Sequence, residues 1–297
     1  MSSFSQWFYA TRPKTLVASV FPVLMGGSLA FSSCKKLDME LLILCLLFSF
    51  LIQIGTNFAN DYYDFTKGAD RNRSIAPKRY SSSGDLQPKK IRNASYAVLL
   101  LSFLTGLIIL FNSKGSLHLL WVGIACIAAA ILYTGGPRPI AYNGLGDLFV
   151  VLFYGFVAVE VTHYVLLCKE NITWVPSFAV SLGIGFAINS ILVVNNYRDY
   201  EEDKANGKRT TIVLFGKRFG VIFYCLCIGI STLLCPFYDS RISPVLILLP
   251  LGLLCGIKLK NLSTKSDFEK MLRWNVIFVS LYGLLACLGL FWARPVP

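Results

Sequence analysis

The chain has 297 residues, 55% of them hydrophobic and only 15% charged, which is too apolar for an ordinary soluble domain, where charged residues make up roughly a quarter. Apolar runs close to the ~20 residues needed to cross a ~30 Å hydrocarbon core recur along it, so it reads as an all-α, polytopic membrane protein. The net charge of +12 raises the question of a nucleic-acid partner, but the cations sit in loops between apolar runs, which argues against nucleic acid and for a role in membrane topology.

Nine transmembrane helices are expected, spanning roughly 15–32, 41–60, 94–111, 117–133, 146–167, 174–194, 219–237, 243–257 and 274–292. They form one bundle, a single domain over 1–297. An odd number places the termini on opposite sides of the bilayer. The N-terminal side then carries 22 of the Lys and Arg residues and the other side 6, which puts the N-terminus in the cytoplasm. Adding or removing one span scrambles this asymmetry. The nine cysteines are scattered, mostly within apolar spans and without metal-ligand spacing, and read as small packing residues.

In chain order, residues 1–14 place Trp7, Phe8 and Tyr9 before Arg12-Pro13-Lys14, an interfacial segment. Arg12, Lys14 and the apolar run to Ala30 also imitate a signal peptide, but eight further spans need no leader. The second span ends in the stretch 57–70, in which Asn57, Asn60, Asp61 and Asp64 share one helical face through i+3 and i+4 steps. Two bare carboxylates there would repel by about 4 kcal/mol at 4 Å and an effective dielectric near 20, so the patch calls for a cation. The loop 61–93 that follows is the longest polar stretch. Its cations, Lys67 and Arg73 nearest the acids, serve either as a solvated topological charge or as a lid over an anionic ligand.

A third-span to fifth-span region follows, with a turn-rich connection at 133–147. Asp147 is expected to cap span five, and Arg138, its only cation, is a candidate anion contact. Within span five, Glu160 and His163 stand at i, i+3, either as a mutually satisfied pair or as acceptor-side acid–base groups. Span six ends in Asn195-Asn196-Tyr197-Arg198-Asp199, which matches the Asn, Tyr and Asp positions of 60–64, and Asp203 follows Asp199 at i+4. Lys208 and Arg209 come next. Asn206-Gly207-Lys208-Arg209 is not a phosphate-binding P-loop, because no glycine lies five before Gly207 and Arg follows the lysine.

Carboxylate pairs at two helix ends on one side of a bundle suit divalent metal. Mg²⁺ takes one or two carboxylates, keeps waters and completes its shell with phosphate oxygens. One ion on Asp61/Asp64 and one on Asp199/Asp203 would clamp a diphosphate, with Lys208 and Arg209 neutralising the remainder and the asparagines Asn57, Asn60, Asn195 and Asn196 beside it. The apolar spans below suit a hydrocarbon tail. The competing class is a secondary transporter, but transporters tend to hold their binding carboxylates near the bilayer midplane, whereas here only Glu160 is deep.

Three segments carry a family resemblance: Asn60-Asp61-x-x-Asp64-x-x-Lys67-Gly68-x-Asp70; Tyr133-Thr134-Gly135-Gly136 through Gly144-Leu145-Gly146-Asp147; and Asn195-Asn196-x-Arg198-Asp199-x-x-x-Asp203-x-x-x-Gly207-Lys208-Arg209-Thr210. With the Arg12-Pro13-Lys14-Thr15-Leu16 entry to span one, they resemble the UbiA superfamily of intramembrane prenyltransferases, most of all its menaquinone branch, over essentially the whole chain. The resemblance implies nine helices around a central cavity, Mg²⁺, a polyprenyl diphosphate donor, a dihydroxynaphthoate acceptor and a bacterial inner membrane. The nearer rivals within the family use other aromatic acceptors. One departure is Ala76-Pro77-Lys78-Arg79, where related enzymes often read Gly-Pro-x-Arg.

Overall fold

Backbone immersed in hydrocarbon must satisfy its own N–H and C=O groups, and the apolar runs do so as helices. The structure, a computed structural model, describes residues 3–69 and 80–292, and every regular element among them is helical. In chain order these are α1 (Ser3–Ala10), α2 (Val17–Cys34), α3 (Met39–Thr66), α4 (Pro88–Ser113), α5 (His118–Leu132), α6 (Gly146–Lys169), α7 (Phe178–Arg198), α8 (Tyr200–Ala205), α9 (Thr211–Phe237), α10 (Ser240–Leu259) and α11 (Lys265–Trp292).

Eight of these, α2, α3, α4, α6, α7, α9, α10 and α11, are long and apolar enough to cross a membrane. The expected span at 117–133 is α5, which has 15 residues and so reaches only about 22 Å at 1.5 Å per residue. Gly115 before it and Gly135-Gly136-Pro137 after it are the breakers that stop it short. α3 errs the other way. The Asp38 side chain caps it by accepting from the Leu41 amide at 2.9 Å, and its 28 residues cover about 42 Å, more than the hydrocarbon thickness. Its last turns carry the acids.

Two spans carry breaks near their starts. α9 is two helices that meet at Gly216, where φ is 87° and ψ 165°, a backbone state closed to residues with a Cβ. Its long apolar part therefore begins just past 216, close to the expected 219, behind a short piece at 211–215. α10 opens as tight turns from Ser240 to Leu248 around Pro244, which cannot donate a helical hydrogen bond.

The connections sort to two ends. At one, Lys169 lies 3.8 Å from Asp38 and donates to the Asn112 carbonyl at 3.0 Å, and Lys36 pairs with Glu170 at 3.6 Å. At the other, Asn206 donates to the Ala69 carbonyl at 2.9 Å and the Arg209 amide to the Tyr142 carbonyl at 3.0 Å, so three loops distant in sequence meet. α1 docks at this same end, with Trp7 edge-on to Phe58 at 5.7 Å.

α7 is the axis of the bundle: Val180, Ile184, Ala187, Val193 and Val194 are fully buried, as befits a helix apolar on all sides. It touches α6 where Gly155 meets Gly185. There α6 widens into a π turn over Val151–Val157, and a Cβ on Gly155 would lie 2.4 Å from the Ser181 carbonyl oxygen. Gly155→Ala should therefore lower the thermal midpoint by an overpacking cost of about 1–3 kcal/mol. Gly229→Ala, whose Cβ meets nothing within 4 Å, should leave it unchanged or slightly higher. Unfolding scans of the two variants in detergent check this, and equal midpoints would contradict so close a helix contact.

Candidate active site

The C-terminal half of α3 presents a polar stripe of Gln53, Asn57, Asn60, Asp61 and Asp64. Asn57 holds the N-terminal segment: its Nδ2 donates to the Thr11 carbonyl at 2.8 Å and to Thr15 Oγ1 at 3.2 Å. Asn60 Oδ1 accepts from Thr134 Oγ1 at 2.8 Å, tying α3 to the 133–145 connection. Asp61 takes the amides of Tyr80 at 3.1 Å and Ser81 at 3.0 Å on its two oxygens, so it folds the far end of the long loop over the helix end. Asp64 Oδ1 accepts from the Tyr142 hydroxyl at 2.8 Å and lies 3.5 Å from Lys208 Nζ.

The second acidic segment arrives from α7 and α8. Arg198 grips Asp199 with Nε at 2.6 Å and Nη2 at 2.7 Å, a fork-to-carboxylate pair. One turn on, Asp203 lies 3.7 Å from Lys208 Nζ. The chain reverses at Gly207, where φ is 71°, and this turn carries Lys208 back between the two helix ends. All four aspartates are buried. Lys208 thus bridges Asp64 and Asp203, one from each motif.

Tyr142 is the hub that charge counting missed. Besides its hydroxyl bond to Asp64, its ring lies 4.7 Å below Lys208 Nζ and 5.1 Å from Lys67 Nζ. Lys67 also donates to the Gly136 carbonyl at 2.8 Å. Partial burial draws the Lys67 ammonium below the ordinary lysine pKa; Asp64 works against that shift and Lys208 adds to it. The signal available in sequence was an aromatic in the turn-rich 133–147 connection, but nothing local marks it as a partner for Asp64.

Other expected residues fall elsewhere. Arg138 and Arg209 are exposed, and only the Arg209 backbone joins the cluster, through Tyr142. Asn195 lines the cavity described next, and Asn196 is half-buried outside its wall. Arg73, with Asp70 and 76–79, lies outside the described residues. Asp147 does not cap α6. It sits inside the first turn and accepts from Thr211 Oγ1 at 2.7 Å, latching α6 to the start of α9.

Beneath the acidic cluster lies a cavity of about 320 Å³ walled by α2 through α7. Asn60, Asn195 and Tyr133 stand at its mouth, and Cys45, Ile109, Leu119 and Val165 close its far end. From Asn60 to Cys45 along α3 is about 22 Å at 1.5 Å per residue, and the wall between is largely apolar. Glu160 and His163 are outside this wall. Glu160 accepts from Trp174 Nε1 at 3.2 Å, from the Ser177 amide at 2.9 Å and from Ser181 Oγ, and His163 Nδ1 is 3.6 Å away. That is a structural tie between α6 and the entry to α7.

Among the described residues no three His, Cys, Asp or Glu side chains converge into a metal cage. The donor set still fits Mg²⁺, which needs only one or two carboxylates when phosphate oxygens complete its shell. A cation, the Lys208 ammonium, already sits between carboxylates from both motifs.

Fold and site together define a polytopic, all-helical membrane protein with an acidic rim over an apolar, tail-shaped cavity. The family model described as the UbiA prenyltransferase family matches residues 19–282, and the chain belongs to that family. It is a prenyltransferase similar to the dihydroxynaphthoate enzymes. It is 32% identical over 233 residues to the 1,4-dihydroxy-2-naphthoate octaprenyltransferase of Haemophilus influenzae, covering 76% of this chain and 74% of that one. It is 39% identical over 212 residues to the enzyme of the same name from Bacillus subtilis, covering 71% and 66%. Its fold matches a UbiA homologue from Archaeoglobus fulgidus, solved bound to DMAPP and Mg²⁺, with a TM-score of 0.62 at 17% identity over 95% of this chain and 99% of that one.

Lys208→Met removes the ammonium that bridges Asp64 and Asp203. Its thermal midpoint in EDTA should fall below that of the wild-type protein, and millimolar Mg²⁺ should recover more stability in the variant than in the wild type. An equal response to Mg²⁺ would mean that Lys208 and the metal do not share those carboxylates.

Proposed function

We propose that this protein transfers a polyprenyl group from polyprenyl diphosphate to a dihydroxynaphthoate ring, in a Mg²⁺-dependent reaction that releases carbon dioxide when the acceptor is the 2-naphthoate. The observation that carries this reading is the Lys208 ammonium held 3.5 Å from Asp64 and 3.7 Å from Asp203 at the mouth of an apolar cavity. Support also comes from the names of the H. influenzae and B. subtilis relatives and from the DMAPP and Mg²⁺ bound to the A. fulgidus homologue.

Asp64 and Asp203 supply the central carboxylates, with Asp61 and Asp199 beside them. Mg²⁺ bound there supplies positive charge to the departing phosphate oxygens. Lys208 turns from the carboxylates to the diphosphate, and Lys67 adds a second cation at the rim. The Tyr142 ring lies beside both ammonium groups. Asp61 holds Tyr80 and Ser81 over the site, and the apolar wall excludes water, so the allylic cation meets the ring rather than solvent. The ring carbon bonds to C1 of the prenyl group, and the electron pair of the broken C–O bond leaves with diphosphate. The ring–carboxylate pair then restores aromaticity as carbon dioxide departs.

The excess of Lys and Arg in the connections around this cluster supports a cytoplasmic active site and N-terminus, and the bacterial relatives support an inner-membrane location.

Asp64→Ala and Asp199→Ala should each lower Mg²⁺-dependent prenylation by at least about 100-fold, the scale of losing one preorganised electrostatic group, in protein that is still folded. Product mass from several naphthoate isomers reads both the acceptor and the loss of carbon dioxide. Near wild-type turnover in either variant would remove that residue from the site.

A further inference from the structure

The cavity wall is not uniformly apolar. About 12 Å below the acids, at 1.5 Å per residue, two helices bring polar groups to the same depth. Gln53 stands eight residues before Asp61 on α3, and Tyr154 eight residues into α6. The two are hydrogen-bonded, Tyr154 Oη donating to Gln53 Oε1. Gln53 Nε2 in turn donates to Asn57 Oδ1 at 3.3 Å, and Asn57 donates to Thr11 and Thr15, so every donor in the chain points away from Tyr154. Tyr154 lies within the π turn over Val151–Val157 and lines the cavity.

Both residues line the cavity, and the bonds they make leave hydrogen-bonding capacity on each. The Tyr154 oxygen donates its proton to Gln53 and keeps lone pairs, and Gln53 has a second amide N–H beyond the one given to Asn57. The hydroxyls around them are spent on backbone: Ser49 on the Ser19 carbonyl at 2.9 Å, Thr56 on Ile52 at 2.7 Å and Thr162 on Ala158 at 2.8 Å. A prenyl tail offers no hydrogen-bonding atom, so burying an acceptor–donor pair against it would be a desolvation cost with no return. A ring that bears hydroxyls offers both partners. A ring reacting with prenyl C1 must approach within about 3–3.5 Å, and C1 is one bond from the diphosphate, so the ring's far hydroxyl falls well below the acids.

We propose that Tyr154 and Gln53 are the positioning residues for the aromatic acceptor: Tyr154 Oη accepts from a ring hydroxyl, Gln53 Nε2 donates to its oxygen, and together they aim the attacking carbon at the prenyl group. This rests on the prenyl-transfer reading above and assigns the acceptor's seat within it.

The test is steady-state transfer by the purified full-length protein with Mg²⁺ and polyprenyl diphosphate, comparing 1,4-dihydroxy-2-naphthoate with its two monomethyl ethers. Wild type should prefer the free dihydroxy ring over at least one of the ethers. In Tyr154→Phe and Gln53→Leu the acceptor KM should rise about 5- to 10-fold, the range of one neutral hydrogen bond. The donor KM should stay unchanged, and the preference for the free hydroxyl should collapse. A merely structural tyrosine would alter stability without moving that preference. If Gln53→Leu does not fold, Tyr154→Phe, which removes one oxygen, carries the test. Folded variants that keep the wild-type acceptor KM and preference overturn this inference alone. A wild-type protein that prenylates no hydroxynaphthoate overturns the prenyl-transfer reading and, with it, this one.

Discussion

Everything at the active end of this protein depends on holding several carboxylates close together beside hydrocarbon. Two such charges 4 Å apart at an effective dielectric near 20 repel by about 4 kcal/mol, and the molecule answers with cations and hydrogen bonds on each. Asp199 is locked by Arg198, Asp61 is saturated by two loop amides, and Asp64 and Asp203 share Lys208. The last arrangement is the one that the proposed divalent ion would exchange into, because a flexible ammonium is easier to displace than a bidentate guanidinium or a folded loop.

The scaffold serves that cluster by helix length and close approach. α3, at 28 residues, carries its acids on its last turns, while short α5 leaves room for the 133–145 connection to reach inward with Tyr142. Glycine contacts at Gly155 and Gly185 bring α6 and α7 together on the far side of the cavity. The result is a polar rim on rigid helix ends and a largely apolar shaft beneath it, in which Tyr154 and Gln53 meet.

Much of this was legible in the sequence because it follows helical periodicity. The acids of α3 and of the α7–α8 segment lie at i+3 and i+4 steps, and the Lys and Arg asymmetry places both segments on one side. Gln53 was equally legible, one turn earlier on the same stripe. What could not be read is how the four aspartates divide their labour. Asp61 as loop anchor and Asp199 as the partner of its own neighbour Arg198 depend on how the loops fold back, and Tyr142 reaches Asp64 across 78 residues of chain. The break at Gly216 within α9 and the tight turns around Pro244 that open α10 are backbone geometry that hydropathy does not register.

The central claim is that the two acidic helix ends form one cation-bridged diphosphate site. The most direct measurement is a structure of the protein with Mn²⁺ and inorganic pyrophosphate, with the metal located by its anomalous signal. The account predicts metal at about 2–2.3 Å from carboxylate oxygens of both acidic segments, with pyrophosphate between them and Lys208 turned onto a phosphate oxygen. Metal bound at one segment alone, or Lys208 still seated between Asp64 and Asp203 with pyrophosphate elsewhere, would contradict it.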